Sequence, residues 1–184
     1  MIRAGKRLKG KIAGKKMEKE IQYRKGTIKD LDLICGMIQK AIAEMNHKAI
    51  CQWDEKYPAR SDFLRDIEQK QLTVGMLDGQ LAGIYVLSKE CDAEYDTASW
   101  AEQNGNYYVL HRLCVNPEFQ NQGIARRMLI QIEKDTKAAG GTSLRLDAFS
   151  QNPYALRLYE HAGYCITGSA EWRMGQFVLM EKVL

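Results

Sequence analysis

The run Val115–Arg127, VNPEFQNQGIARR, has the make-up of an anion site built from main chain. A strand-like stretch ends at Val115, Pro117 turns the chain, and an amphipathic stretch opens near Gly123. N–H groups without an intrahelical acceptor then converge at the positive end of a helix dipole, a geometry that binds pyrophosphate. Small residues at Gly123 and Ala125 let a ligand approach the main chain, and Gly123 reaches backbone angles closed to other residues. Arg126 and Arg127 add positive charge at the same end. A nucleotide-hydrolysing loop would need GxxxxGK[ST], and a dinucleotide fold an early GxGxxG; neither occurs. The plainer alternative is that Gly123 does no more than cap a turn.

The rest of the chain supplies the elements that must hold this loop. Ile21–Lys25 reads as a short strand, and Thr27 with Asp30 three residues on resembles a helix cap. Leu31, Ile34, Ile38, Ala41, Ile42 and Met45 recur at helical spacing, and Ser61 opens a shorter helix through Phe63, Leu64 and Ile67. Leu72–Leu77 and Gln80–Val86 flank Asp78-Gly79, a two-residue hairpin signal. Ser88–Asn106 is acidic and poorly patterned, a length that inside a compact domain points to function or mobility. Tyr107–Val115 is a strand, Gly123–Ala139 a helix closed by Gly140-Gly141, Ser143–Ala148 a strand and Pro153–His161 a helix with proline in its first turn. Phe177–Val183 is a terminal strand, with a weaker one near Cys165–Thr167. Strands interleaved with helices in this order indicate an α/β sheet with helices packed on it.

Composition narrows the class. A chain of 184 residues, 45% hydrophobic and 27% charged, suits one globular domain with its own core. The net charge of +4 is carried by Met1–Lys16, which holds seven of the 27 Lys and Arg and no acid, and reads as a flexible basic leader. The remaining domain, 17–184, has 20 basic against 23 acidic residues, about −3, so nucleic acid is not an expected partner of the body. A basic arm that touches nucleic acid or membrane is the alternative reading of the leader, and Met17 as the natural start is another. No run approaches the roughly 20 apolar residues of a membrane span, and the start of the chain lacks a secretory signal, so the expected location is cytoplasmic. Cys35, Cys51, Cys91, Cys114 and Cys165 show no CxxC pair or nearby His, so no metal site is expected and buried reduced thiols are the reading.

On Val115–Ala125, VNPEFQNQGIA, and on NPYALRLYEHAGY from Asn152 to Tyr164, the sequence resembles the GNAT superfamily of acyl-CoA-dependent N-acyltransferases, from about Ile21 to Leu184. The resemblance implies a mixed, mostly antiparallel central sheet with flanking helices and a splayed strand pair that forms the acetyl-CoA cleft. It implies acetyl-CoA as co-substrate and no metal. The cofactor's arm would run beside Leu113, Cys114 and Val115, its phosphates on the N–H groups of Gln120, Asn121, Gln122, Gly123, Ile124 and Ala125 beside Arg126, with Asn152 touching the arm. A homodimer through the C-terminal strands is in keeping with the family.

The same resemblance places Tyr159 where relatives commonly keep a tyrosine that protonates the departing thiolate; the bland reading is a ring packed on the sheet. Many relatives carry a glutamate on the strand matching Tyr107–Val115 as base, yet this strand has no acidic residue. His111 is the one side chain there with a suitable pKa; ordered water is its rival, and a structural histidine is the plain alternative. Arg112 suits a structural ion pair beneath the site. Between the first two helices, Trp53, Asp54 and Tyr57 mix aromatic and acidic character that suits a cationic amine, or pin the loop to the core. The expected activity is acetylation of a primary amine of a small molecule or amino-acid derivative; the alternatives are a protein N-terminus or lysine, which needs an open groove, and a noncatalytic acyl-CoA sensor.

Overall fold

The periodicities resolve into seven strands and four helices in the computed structural model, which describes residues 19–184. The leader expected at Met1–Lys16 and a start at Met17 lie outside the described residues. In chain order the elements are β1 (Gln22–Lys25), α1 (Leu31–His47), α2 (Arg60–Glu68), β2 (Leu72–Leu77), β3 (Gln80–Ser88), β4 (Tyr107–Val115), α3 (Ile124–Ala138), β5 (Ser143–Phe149), α4 (Pro153–His161), β6 (Cys165–Trp172) and β7 (Gly175–Val183). They form one sheet in the order β1-β2-β3-β4-β5-β7-β6. Every neighbouring pair is antiparallel except β4 and β5. That is the mixed, mostly antiparallel α/β sheet expected from the sequence.

Local chemistry sets the ends of these elements. Asp30 accepts from both the N–H and the hydroxyl of Thr27, at 2.8 and 2.7 Å, and binds the Arg24 guanidinium through both oxygens. The entry to α1 is thereby fixed, and Leu31, Ile34, Met37, Ile38 and Ala41 turn inward. α2 starts one residue before Ser61, because the Asp62 carboxylate reaches back to the Ala59 N–H at 2.8 Å. Asp78 and Gly79 take φ values of 51° and 77°, the paired left-handed conformations that match hairpin twist.

Two apolar layers cover the sheet. Ile34, Ile38, Phe63 and Ile67 of α1 and α2 pack on Val74, Ile84 and Val86. On the opposite face Met128, Leu129 and Ile132 of α3 and Tyr159 of α4 pack on Tyr85, Leu110, Leu144 and Leu146. Alternation puts Tyr85 on one face and its neighbours Ile84 and Val86 on the other. Truncating a buried aliphatic such as Ile34 to Ala would cost about 2–5 kcal/mol.

Three regions differ from the sequence reading. β6 runs to Trp172 and β7 begins at Gly175, so the C-terminal hairpin is longer than expected. β6 is an edge strand with a mostly exposed or half-exposed face, so its residues lack the apolar alternation that marks a strand. The segment 88–106 contains a short 3-10 turn, Ala93–Thr97, that buries Tyr95 against Val109, Ala170 and Leu179. Of the five free cysteines only Cys114 is buried; Cys51 and Cys165 are exposed. Burial pushes the Cys114 thiol up to about 12, which makes it inert.

Candidate active site

The central feature is a fork between β4 and β5. Their parallel ladder covers Tyr107–Leu110 against Ser143–Leu146 and then stops. β4 bends away there because it carries a bulge: Val86 of β3 faces His111 and Ile84 faces Cys114, so β4 spends an extra residue over this stretch. Arg112, in the bulge, has φ 52°, a conformation costly for a side chain with a Cβ. An ion pair holds it there: Arg112 Nη1 donates to Asp66 Oδ2 at 2.8 Å, both side chains nearly sealed from water, with the Tyr57 ring centroid 5.3 Å from the guanidinium. This is the structural pair expected of Arg112. Burial pushes the Asp66 carboxyl up, against the pull of Arg112. Removing either partner would leave a buried charge alone, at about 3–5 kcal/mol.

Past the fork, the edge of β4 that faces β5 has no strand partner, and it leads into the loop before α3. Asn116 fixes that loop: its Nδ2 donates to the Leu81 carbonyl at 2.8 Å and its Oδ1 accepts from the Glu118 N–H at 3.1 Å. A 3-10 turn, Pro117–Phe119, follows. Asn121 and Gly123 then take left-handed angles, φ 59° and 73°. The Arg127 N–H bonds the Gly123 carbonyl at 3.1 Å, so the N–H groups of Ile124, Ala125 and Arg126 come before the first intrahelical bond. A Cβ built on Gly123 would meet no protein atom within 4 Å, so the space above this helix end is open. These observations fit a pyrophosphate on the main chain of α3.

A cavity of about 950 Å³ runs from this helix end through the fork. Leu113, Cys114, Val115, Gln120, Asn121, Gly123, Ile124, Ala125, Arg126, Asn152 and Tyr159 line it, as do His111, Trp53 and Tyr57. Gln122 and Asp54 stand outside the lining. The Gln122 amide donates to the Glu118 carbonyl at 3.3 Å, and Asp54 takes both Arg173 guanidinium nitrogens, at 2.6 and 2.9 Å. That pairing, aided by N–H groups of Lys56 and Tyr57, holds the Asp54 carboxyl well below the usual carboxylate range. Asn152 caps α4 by accepting from the Ala155 N–H at 3.1 Å and donates to Gln52 Oε1 at 2.7 Å. The loop 48–59 thus bridges to α4 through Gln52 and to the β6–β7 turn through Asp54, and roofs part of the cavity.

Tyr159 packs edge-on against Tyr164, ring centroids 5.7 Å apart, and burial pushes its phenol well up, with the Asp147 charge adding to the rise. It therefore serves the core and borders the cavity together. His111 Nε2 lies 3.0 Å from the Glu90 carbonyl oxygen, which can only accept, so that nitrogen carries the proton. The acidic residue at the fork itself is absent from the sequence-based candidates. Asp147, on β5, lines the cavity, accepts from the Tyr95 hydroxyl at 2.9 Å, and has its carboxyl pushed up by burial while the neighbouring His111 pulls it down. Its only signal in the sequence is a lone acid in the apolar strand run LRLDAF.

Comparison with known proteins agrees with this geometry. Residues 39–164 match the model of the acetyltransferase (GNAT) family. The chain belongs to that family. A crystal structure of a GNAT-family acetyltransferase from Streptococcus agalactiae 2603 superposes with a TM-score of 0.79 at 25% identity, covering 89% of this chain and 95% of that one. The uncharacterized N-acetyltransferase YesJ of Bacillus subtilis (strain 168) is 24% identical over 143 residues, 76% of this chain and 79% of its own. The PaiA N-acetyltransferase of Thermoplasma acidophilum, solved in complex with coenzyme A, shares the fold at a TM-score of 0.65 and 22% identity, covering 90% of this chain and 99% of that one. This GNAT chain is thus an acyl-transferring enzyme. Among the described residues no helix is long and apolar enough to cross a membrane, and no group of three or more His, Cys, Asp or Glu could hold a metal.

Proposed function

We propose that this GNAT protein transfers the acetyl group of acetyl-CoA to a primary amine of a small molecule. The observation that carries the reading is the continuous cavity that joins the α3 helix end to the roofed pocket beneath Trp53 and Tyr57. The N–H groups of Ile124–Arg126 would hold the diphosphate, and the unpaired edge of Leu113–Val115 would pair with the pantetheine amides as a strand would. Coenzyme A supplies an activated thioester. The coenzyme A complex of the PaiA relative supports this choice of co-substrate. The bridges Gln52–Asn152 and Asp54–Arg173 favour an acceptor small enough to enter beneath a loop over one that lies in an open groove.

Within this frame the chain contributes position and proton transfer. Holding amine and thioester in one cleft supplies much of the rate advantage. Tyr159 would give its phenolic proton to the departing sulfur, a role open to a hydroxyl that borders the cavity. The test follows free thiol release with acetyl-CoA, a panel of small primary amines and a set of peptides. Turnover on a small amine, with Tyr159→Phe slower by about a hundredfold at unchanged CoA affinity, is expected. Turnover on peptides alone would move the acceptor to protein. Calorimetric CoA binding without turnover on either set would leave a sensor.

A further inference from the structure

We propose that the Asp147 carboxylate takes the proton from the acceptor amine, with Tyr95 as the positioning residue that holds it. The inference rests on the acetyl-transfer reading above. The β4–β5 ladder steps from Tyr107–Ser143 to Leu110–Leu146 and ends there, and His111 and Asp147 are the residues that follow on the two strands where the fork opens, both lining the cavity. Asp147 stays rigid because its backbone still pairs with Leu179 on β7. The Tyr95 hydroxyl donates to Oδ1 at 2.9 Å, which fixes the carboxylate plane and leaves Oδ2 free to accept. Tyr95 is itself sealed in the core, and the Trp100 indole donates to its carbonyl at 2.7 Å. The poorly patterned segment 88–106 thereby acquires a purpose, which is to deliver one buried phenol to one carboxylate.

Of the other acids that line the cavity, Asp62 and Asp66 each pair with an arginine, Glu44 pairs with Lys48, and Glu90 and Asp92 are exposed. His111 has committed Nε2 to the Glu90 carbonyl, which suits it to sit beside the base rather than to be it. The groups that act on Asp147 or feel its charge are His111 from β4, Asp92 and Tyr95 from the β3–β4 segment, Tyr57 from the loop before α2, and Tyr159 from α4. β7 faces it with uncharged Leu179. Burial raises the carboxyl toward the range where a base works best near neutral pH.

Protons and electron pairs balance across the step. The ammonium of the acceptor gives one proton to Asp147 Oδ2, which returns it to solvent. The freed amine attacks the thioester carbon, a C–N bond forms, and the C–S bond breaks with its electron pair on sulfur. The second amine proton leaves with the nitrogen's charge, and the thiolate ends as a thiol, so turnover releases one net proton.

The experiment compares wild type, Asp147→Asn and Tyr95→Phe by kcat/KM against pH on an active amine, with CoA binding by calorimetry as the check on folding. Asp147→Asn is expected to lose about 10²–10⁴-fold in kcat at unchanged CoA affinity. Its residual rate should rise with pH, as the solution supplies the free amine. Tyr95→Phe removes a hydrogen bond that favours the ionised carboxylate, so its acidic limb should move to higher pH with the plateau rate within a few-fold. A merely structural tyrosine would lower the plateau and leave the limb in place, which overturns its positioning role. An active wild type beside an equally active Asp147→Asn overturns this proposal alone; a wild type that binds CoA yet acetylates nothing overturns the functional reading with it. If Asp147→Asn fails to bind CoA, the position of the Tyr95→Phe limb decides.

Discussion

The two ends of the cavity are built in opposite ways. The end proposed for the cofactor uses a single contiguous stretch, Leu113–Arg126, and presents main chain: an unpaired strand edge, two left-handed residues and the first N–H groups of α3. The end proposed for the acceptor gathers side chains from Trp53 and Tyr57, His111, Asp147 and Phe177, which lie on four separate segments. The first end would recognise a group common to many reactions, so its parts can be local and side-chain-tolerant. The second would have to tell one acceptor from another, which takes shape and charge supplied from several directions.

The comparison breaks first at Gly123. Gly123→Val places a β-branched side chain at φ 73°, a strain of about 1–2 kcal/mol, and projects it into the open space above the helix end. CoA affinity by calorimetry should fall tenfold or more, and unchanged affinity would mean the diphosphate lies elsewhere. A smaller effect is expected at the roof. Arg173→Ala frees Asp54 and loosens the loop, and because an exposed, solvent-screened pair contributes little, the acceptor KM should rise only about fivefold or less with CoA affinity unchanged. A loss of CoA affinity in that variant would erase the division between the two ends.

The smallest effect lies outside both. Asp30→Asn removes the carboxylate that holds Thr27 and Arg24 at the entry to α1, and should lower stability at neutral pH by roughly 1 kcal/mol in denaturant titration. The Arg24 pair, then the Thr27 bonds, hold the Asp30 carboxyl well below its usual range. Its contribution is therefore present above the unfolded value near about 4 and fades as pH falls through the lower folded one. The gap between variant and wild type should narrow in acid, with CoA binding untouched.

How far the sequence can be read follows the same division. The α1 cap, the Asp78-Gly79 hairpin and the α3 loop are legible because each is decided by residues close to one another along the chain. The edge strand β6 is only partly legible because its half-exposed face shows no alternation. Asp147 is illegible because a lone acid in an apolar run carries no spacing signal; only the fork opposite His111 and the arrival of Tyr95 from 52 positions away give it a context. The start of α4 is legible from Pro153, while the bond from Asn152 to Gln52, 100 positions distant, is not.

The order of strands and helices and the main-chain site before α3 are written in the chain itself, since backbone chirality and unpaired N–H groups are local properties. Where β4 leaves β5, which carboxylate stands at the opening and which loop roofs it are settled only once the chain has folded. Those features depend on a bulge held by Arg112 against Asp66 and on contacts between segments far apart in sequence, and no local pattern encodes a pairing made across the fold.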